Sequence, residues 1–182
     1  KKKLSKNIKI YILQNHGIIY AADTLQEINF LLKKIEKKLK RNSVFTLKNN
    51  KHKNSLIHKN FFKPKEKIIQ NFAWNKKFFQ IIKNKSLYPD HTVFLHNKIF
   101  ATNTNNKNII ERNIDKKIIV IKNVGVFLND NISYTEHEML LCLAMLLKIS
   151  PLNYNLSFLN KSQQNELISW DKEILRQKIN KG

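Results

Sequence analysis

An α/β fold is the class this sequence predicts, and three observations carry the expectation. Short runs of β-branched and aromatic residues, such as "IKIYIL" (residues 8–13) and "KKIIVIKNVGVFLND" (residues 116–130), read as strands. Longer stretches with apolar residues at helical spacing read as helices. The two kinds alternate along the chain, which is the α/β pattern. The chain has 182 residues, enough for one ordinary domain or two small ones, and 42% of them are hydrophobic, enough for a buried core.

Taken in order, "IKIYIL" forms a first strand, and "IIYAA" (18–22) is its continuation or its partner. "ADTLQEINFLLKKIEKKLKRN" follows as the clearest helix. Asp23 or Thr24 caps it, Gln26 and Glu27 stand at capping-box distance, and Leu25, Ile28, Leu32, Ile35 and Leu39 recur on one face. The pattern then dissolves into "TLKNNKHKNSLIHKN". The expected organisation is therefore residues 1–42 as a strand–turn–strand–helix end of one domain, 43–63 as a linker and 64–182 as a second α/β region.

In that region two short helices are expected, Lys65 to Trp74 and Lys76 to Lys83. "HTVFLHNKIFATN" (91–103) reads as a strand pair turning at Asn97, and "KKIIVIKNVGVFLND" as another turning near Asn123. Ser133, with Glu136 three residues on, caps a further helix whose second half, "MLLCLAMLL" (139–147), is apolar all round and is expected inside the domain. Beyond Pro151 one amphipathic helix is expected from Ser162 to Asn180, with Trp170 and Asp171 in structural roles.

The formal charge is +21, with 34 Lys+Arg against 13 Asp+Glu, and charge alone would attract nucleic acid or an anionic membrane. The kind of basic residue argues otherwise. Arginine, which reads phosphates and bases bidentately, occurs only at Arg41, Arg112 and Arg176, and the lysines are spread along the whole chain. Abundant Lys, Asn and Ile match AT-rich codons, so the bias reads as genomic drift. A basic nucleic-acid-binding protein stands as the alternative from another functional class.

Cys142 is the single cysteine, which excludes an intramolecular disulfide, and inside an apolar helix it makes a poor nucleophile. No apolar run is long enough to span a bilayer, and the basic N-terminus lacks a small-residue cleavage site. A cytoplasmic location is expected by default. The sequence has no G-x-G-x-x-G, P-loop, G-x-S-x-G or C-x-x-C motif, so nucleotide cofactors have no support.

The candidate for chemistry is His16, in "QNHG". A histidine at a strand end, followed by a glycine that permits unusual backbone angles, presents a ring nitrogen with little obstruction. Local physics alone leaves two readings, a metal ligand or a surface histidine in a hairpin turn. The wider string decides between them. "ILQNHGIIYAADTLQEINFLLKKIEKKL" resembles the closing segment of the catalytic domain in the class II (zinc-dependent) sugar-phosphate aldolase and adducin family. "SLYPDHTVFLHN", "NVGVFLNDNISYTEHEMLLCLAMLLKI" and "ELISWDKEILRQKIN" are similar to the C-terminal extension of longer bacterial members.

The resemblance implies the end of an α/β/α aldolase domain followed by a small α/β C-terminal region. It implies that His16 is one of three histidines holding Zn2+, which polarises a sugar or sugar-phosphate carbonyl and stabilises the enediolate formed when a carbon–carbon bond breaks. It also implies a homo-oligomer with sites between subunits. The other two ligands, an H-x-H pair, and the acid/base carboxylate belong to a segment upstream of this sequence. A catalytically incomplete remnant or interaction module of the same family is the companion reading.

The remaining histidines do not complete a site by spacing. His91 and His96 fall on opposite faces of a strand, His52 and His58 lie in the linker, and His137 sits between Glu136 and Glu138 on a helix, where neighbours diverge. "YPDH" marks Asp90 and His91 at the mouth of the expected strand. They read as an acid/base pair or sugar-hydroxyl contact, or else as a turn in which Asp90 accepts backbone hydrogen bonds.

Overall fold

The computed structural model describes residues 9–14, 16–39, 58–95, 98–150 and 155–179. It is a mixed α/β structure in two compact units, Lys1–Asn42 and Ser43–Gly182.

In the first unit β1 (Ile10–Leu13) and β2 (Gly17–Tyr20) pair antiparallel, with Ile10 opposite Tyr20 and Leu13 opposite Gly17. "IIYAA" is thus the partner strand. Helix α1 (Leu25–Leu39) follows, with the Glu27 N–H donating to Thr24 Oγ1 at 3.2 Å, so Thr24 caps it. An ion pair from Lys9 to Glu27 ties the start of the hairpin to the first turn of the helix. Among the described residues of this unit none is buried. Ile12, Leu25 and Phe30 are largely exposed, and the hairpin is apolar on both of its faces.

The second unit is built on a four-stranded sheet of order β3-β6-β5-β4. The strands are β3 (Phe61–Phe62), β4 (Ile99–Thr102), β5 (Ile118–Ile121) and β6 (Gly125–Asn129). Pairing is antiparallel for β3–β6 and β5–β6 and parallel for β4–β5, which are joined through the short helix α5 (Lys107–Glu111). β5, "IIVI", has no polar alternation because both faces of the sheet are covered. Ile118, Val120, Val126 and Leu128 enter the main core, while Ile119, Ile121 and Phe127 meet Phe61 and Ile110 on the other side. The β5–β6 loop turns at Asn123, whose φ of 60° suits the left-handed region that asparagine tolerates.

Five helices cover the main core face or extend from it: α2 (Asn71–Trp74), α3 (Lys76–Asn84), α4 (Pro89–Leu95), α6 (Tyr134–Ile149) and α7 (Lys161–Ser169). Asn75 starts α3 by accepting from the N–H groups of Lys77 and Phe78 at 2.9 and 3.1 Å. At the start of α6, Ser133 and Glu136 form a complete capping box. A last helix, α8 (Asp171–Ile179), follows α7. Among the described residues no helix is long and apolar enough to cross a membrane.

Several expectations need correction. Of the expected linker 43–63, residues 43–57 lie outside the described residues, but Phe61 is 2% exposed and pairs into the sheet, because its ring fills the smaller core. The strand pair expected over "HTVFLHNKIFATN" is helix α4 followed by β4; the turn at Asn97 and His96 lie outside the described residues. Pro89 sits at the first helical position, where its fixed φ favours a helix and its missing N–H costs nothing. His91 through Leu95 are all buried, so tertiary burial overrides the strand propensity of Thr92, Val93 and Phe94.

The second half of α6 is not enclosed: Met145, Leu146 and Ile149 reach solvent, and so does Cys142. The last helix is two helices. The chain breaks at Trp170, whose extended ψ of 121° ends α7.

Gln70 completes the sheet in a way no strand does. β3 pairs with only two residues of β6, leaving the same edge open at Val126. Gln70 is 8% exposed; its Nε2 donates to the Val126 carbonyl at 3.1 Å and its Oε1 accepts the Val126 N–H at 2.9 Å. Gly125 makes room for this clamp, since a Cβ there would lie 3.2 Å from Gln70 Oε1 and its φ is +159°.

Candidate functional site

His16 stands at the tip of the β1–β2 hairpin, exposed, with its N–H donating to the Leu13 carbonyl at 3.2 Å. Antiparallel pairing that ends at Leu13–Gly17 forces the chain to reverse within three residues. Gly17 takes φ +156°, an angle that side chains rarely adopt, and a Cβ there would meet nothing within 4 Å. The glycine therefore answers backbone angle rather than crowding. The same open space leaves the neighbouring imidazole accessible.

Asp90 and His91 are brought together in the first turn of α4, not at the mouth of a strand. His91 is 2% exposed, and its Nδ1 accepts the Leu87 N–H at 3.2 Å, which leaves the proton of the neutral ring on Nε2. Around it the Ser86 and Thr92 hydroxyls share a hydrogen bond of 2.6 Å, and the Tyr88 ring lies 5.7 Å from the imidazole. Burial, reinforced by the Cys142 thiol and Asp90, pushes the Tyr88 phenol well above its ordinary range, so it stays protonated. His91 thus fixes the loop that leads into α4. Its ring is enclosed rather than presented to a solute.

The "EHE" segment does diverge, as neighbours on a helix must. Glu136 turns inward, 4% exposed, between Lys98 at 2.7 Å and Lys117 at 3.0 Å, and also accepts the Ser133 N–H at 2.8 Å. Burial by itself would raise its pKa. The Lys98 ammonium, the Ser133 N–H and Lys117 together overcome burial and hold the carboxyl below its ordinary value. His137 turns the other way, with Nε2 3.1 Å from Glu66 and Nδ1 3.5 Å from Glu138.

Sequence reasoning missed Lys98 and Lys117 as partners. They precede Ile99 and Ile118, which are register partners in the parallel β4–β5 pair, so the ammoniums stand side by side at the strand starts. Only the parallel pairing reveals this. A buried acid at N3 of a capping box was the one available sign.

Two open grooves lie elsewhere on the second unit. One of about 400 Å³ is lined by Pro89, Leu159, Gln163, Glu166, Leu167 and Trp170; the other, of about 480 Å³, has Lys77, Lys85 and Phe158 in its wall. Neither is lined by His91 or by the His137–Glu66 pair.

Among the described residues no group of three or more His, Cys, Asp or Glu side chains is arranged to hold a metal ion. His52 and His96 lie outside the described residues. The three protein ligands that a zinc site takes are therefore not assembled from described side chains. The chain matches no family model, no curated protein and no solved structure.

Proposed function

We propose that this chain belongs to a class II aldolase-like protein acting on a sugar or sugar phosphate, with His16 as one ligand of a divalent metal completed by residues outside the 182. The observation that carries this reading is the accessible imidazole at the hairpin tip, beside a glycine with open space at its Cβ position. The surroundings support it. Ile10, Ile12, Ile18 and Tyr20 alternate to one side of the hairpin and Tyr11, Leu13 and Ile19 to the other, as in a strand covered on both faces of a layered domain. Helix α1 adds an apolar stripe with no buried residue. Such surfaces suit packing within a larger α/β/α body.

No reaction step is derived from the described residues, because they offer the metal one ligand rather than three. A second reading, a non-catalytic interaction module, is favoured by the second unit: the His91 Nδ1 is held by the Leu87 N–H, and His137 lies between two carboxylates.

Metal content separates the two. In the native gene product containing this sequence, plasma emission spectrometry gives about one zinc per chain, and His16→Ala reduces it at least roughly tenfold. Unchanged zinc in that variant overturns the ligand assignment. A native product without zinc after refolding in its presence favours the interaction module.

A further inference from the structure

Helix α6 divides sharply around its axis. Glu136, Leu140, Leu143, Ala144 and Leu147 point into the second unit. At 3.6 residues per turn the opposite side holds Glu138, Cys142, Met145 and Ile149 within an arc of about 60°, with Tyr134 and Leu146 beside them. Met145 is 55% exposed, Ile149 50% and Tyr134 80%, so the face is uncovered among the described residues. Its spacing of four, three and four residues is the seam by which one helix packs along another. Cys142, Met145, Leu146 and Ile149 make the C-terminal half of this seam apolar, with Tyr134 at its N-terminal end, and an apolar strip of this kind marks an interaction surface.

We propose that this face is the self-association surface of the protein, where α6 packs antiparallel against α6 of a second copy about a two-fold axis. Charge identifies the occupant. The stripe carries Glu138 near its N-terminal end, and Lys148 flanks it in the last turn. Antiparallel packing centred between Cys142 and Met145 brings Glu138 of each copy level with Ile149 of the other and within one residue's rise, about 1.5 Å, of Lys148, twice over, as an isologous contact requires. It also opposes the two helix dipoles. A parallel pair would set Glu138 against Glu138. Met145 and Cys142, soft and adaptable, lie at the axis. One helix face is small beside the roughly 800 Å² per partner of a standard interface, so the association is expected to be weak and reversible. The proposal is independent of the ligand assignment of His16.

Sedimentation equilibrium of the full chain from about 1 to 300 µM tests it, a range that reaches weak, reversible contacts. A monomer–dimer equilibrium is expected, and Met145→Glu weakens it at least tenfold. Lys148→Glu also weakens the dimer, and adding Glu138→Lys restores it. The two copies of Cys142 lie about 4–5 Å apart along the axis, so a short bismaleimide links them covalently at dimer-forming concentrations. Thermal melts by circular dichroism check that each variant folds. A monomer throughout the range overturns the proposal. So does a dimer that ignores Met145→Glu and yields no Cys142 cross-link, because its contact then lies on another face. Failure of the double charge swap to restore association overturns the antiparallel arrangement.

Discussion

Replacing Glu136 with alanine lowers the stability of the second unit by about 3–5 kcal/mol, because two lysines lose the buried carboxylate that compensates them. Lys98 and Lys117 are 27% and 29% exposed at their side chains, and with the acid gone two ammoniums face each other at the starts of parallel strands. The half of the capping box in which Glu136 accepts the Ser133 N–H is lost as well. Glu136→Gln keeps the cap geometry and loses the charge, so it is expected to fall between wild type and alanine. Urea unfolding at neutral pH ranks the three.

The pH dependence has a definite sign. The Glu136 carboxyl is held below its ordinary value of 4.5 in the folded chain, so its stabilisation is fully present above that value and fades as pH falls through the depressed one. Wild type is therefore expected to lose stability on acidification below about pH 4.5, and Glu136→Gln to lose less over the same interval. Equal acid sensitivity in the two proteins would show that other carboxylates govern the transition.

The second large effect belongs to Gln70. Gln70→Ala leaves the Val126 N–H and carbonyl buried without the partner that holds both, a loss of about 2–4 kcal/mol. Gln70→Glu is the more telling variant. An ionised carboxylate still accepts the Val126 N–H but faces the Val126 carbonyl with a second negative oxygen. Its protonated form donates to that carbonyl as the amide does. The folded-state pKa of the new carboxyl is consequently raised, and this variant recovers stability as pH falls through that value. Thermal unfolding from pH 7 to pH 5 distinguishes it from Gln70→Ala, which has no such recovery.

What was legible in the sequence follows from the range over which each signal acts. Caps are local: Ser133 with Glu136 and Thr24 with Glu27 could be read from three-residue spacings, and both are formed. The β5–β6 turn at Asn123 was legible for the same reason. The helix over Pro89–Leu95 was not, since its residues favour strands in isolation and only their enclosure on several sides makes a helix preferable. The break at Trp170 was hidden because apolar periodicity continues through it. In the candidate site, the exposed turn at His16 followed from "NHG" flanked by two strands. The setting of His91 did not, because it depends on α4 and on the loop before it. Lys98, Lys117 and Gln70 act across the sheet, at separations no sequence window spans.

The first unit's lack of buried side chains has a consequence in the time domain. A two-stranded hairpin and one helix without enclosed residues protect their amides only by local opening, whose free energy is near zero. In the 182-residue chain, amides of β1, β2 and α1 are expected to exchange with deuterated water orders of magnitude faster than those of β5 and β6, which open only with the whole second unit. Slow exchange at Ile12 and Ile19 in the native gene product would then time how firmly another surface closes over the hairpin that carries His16.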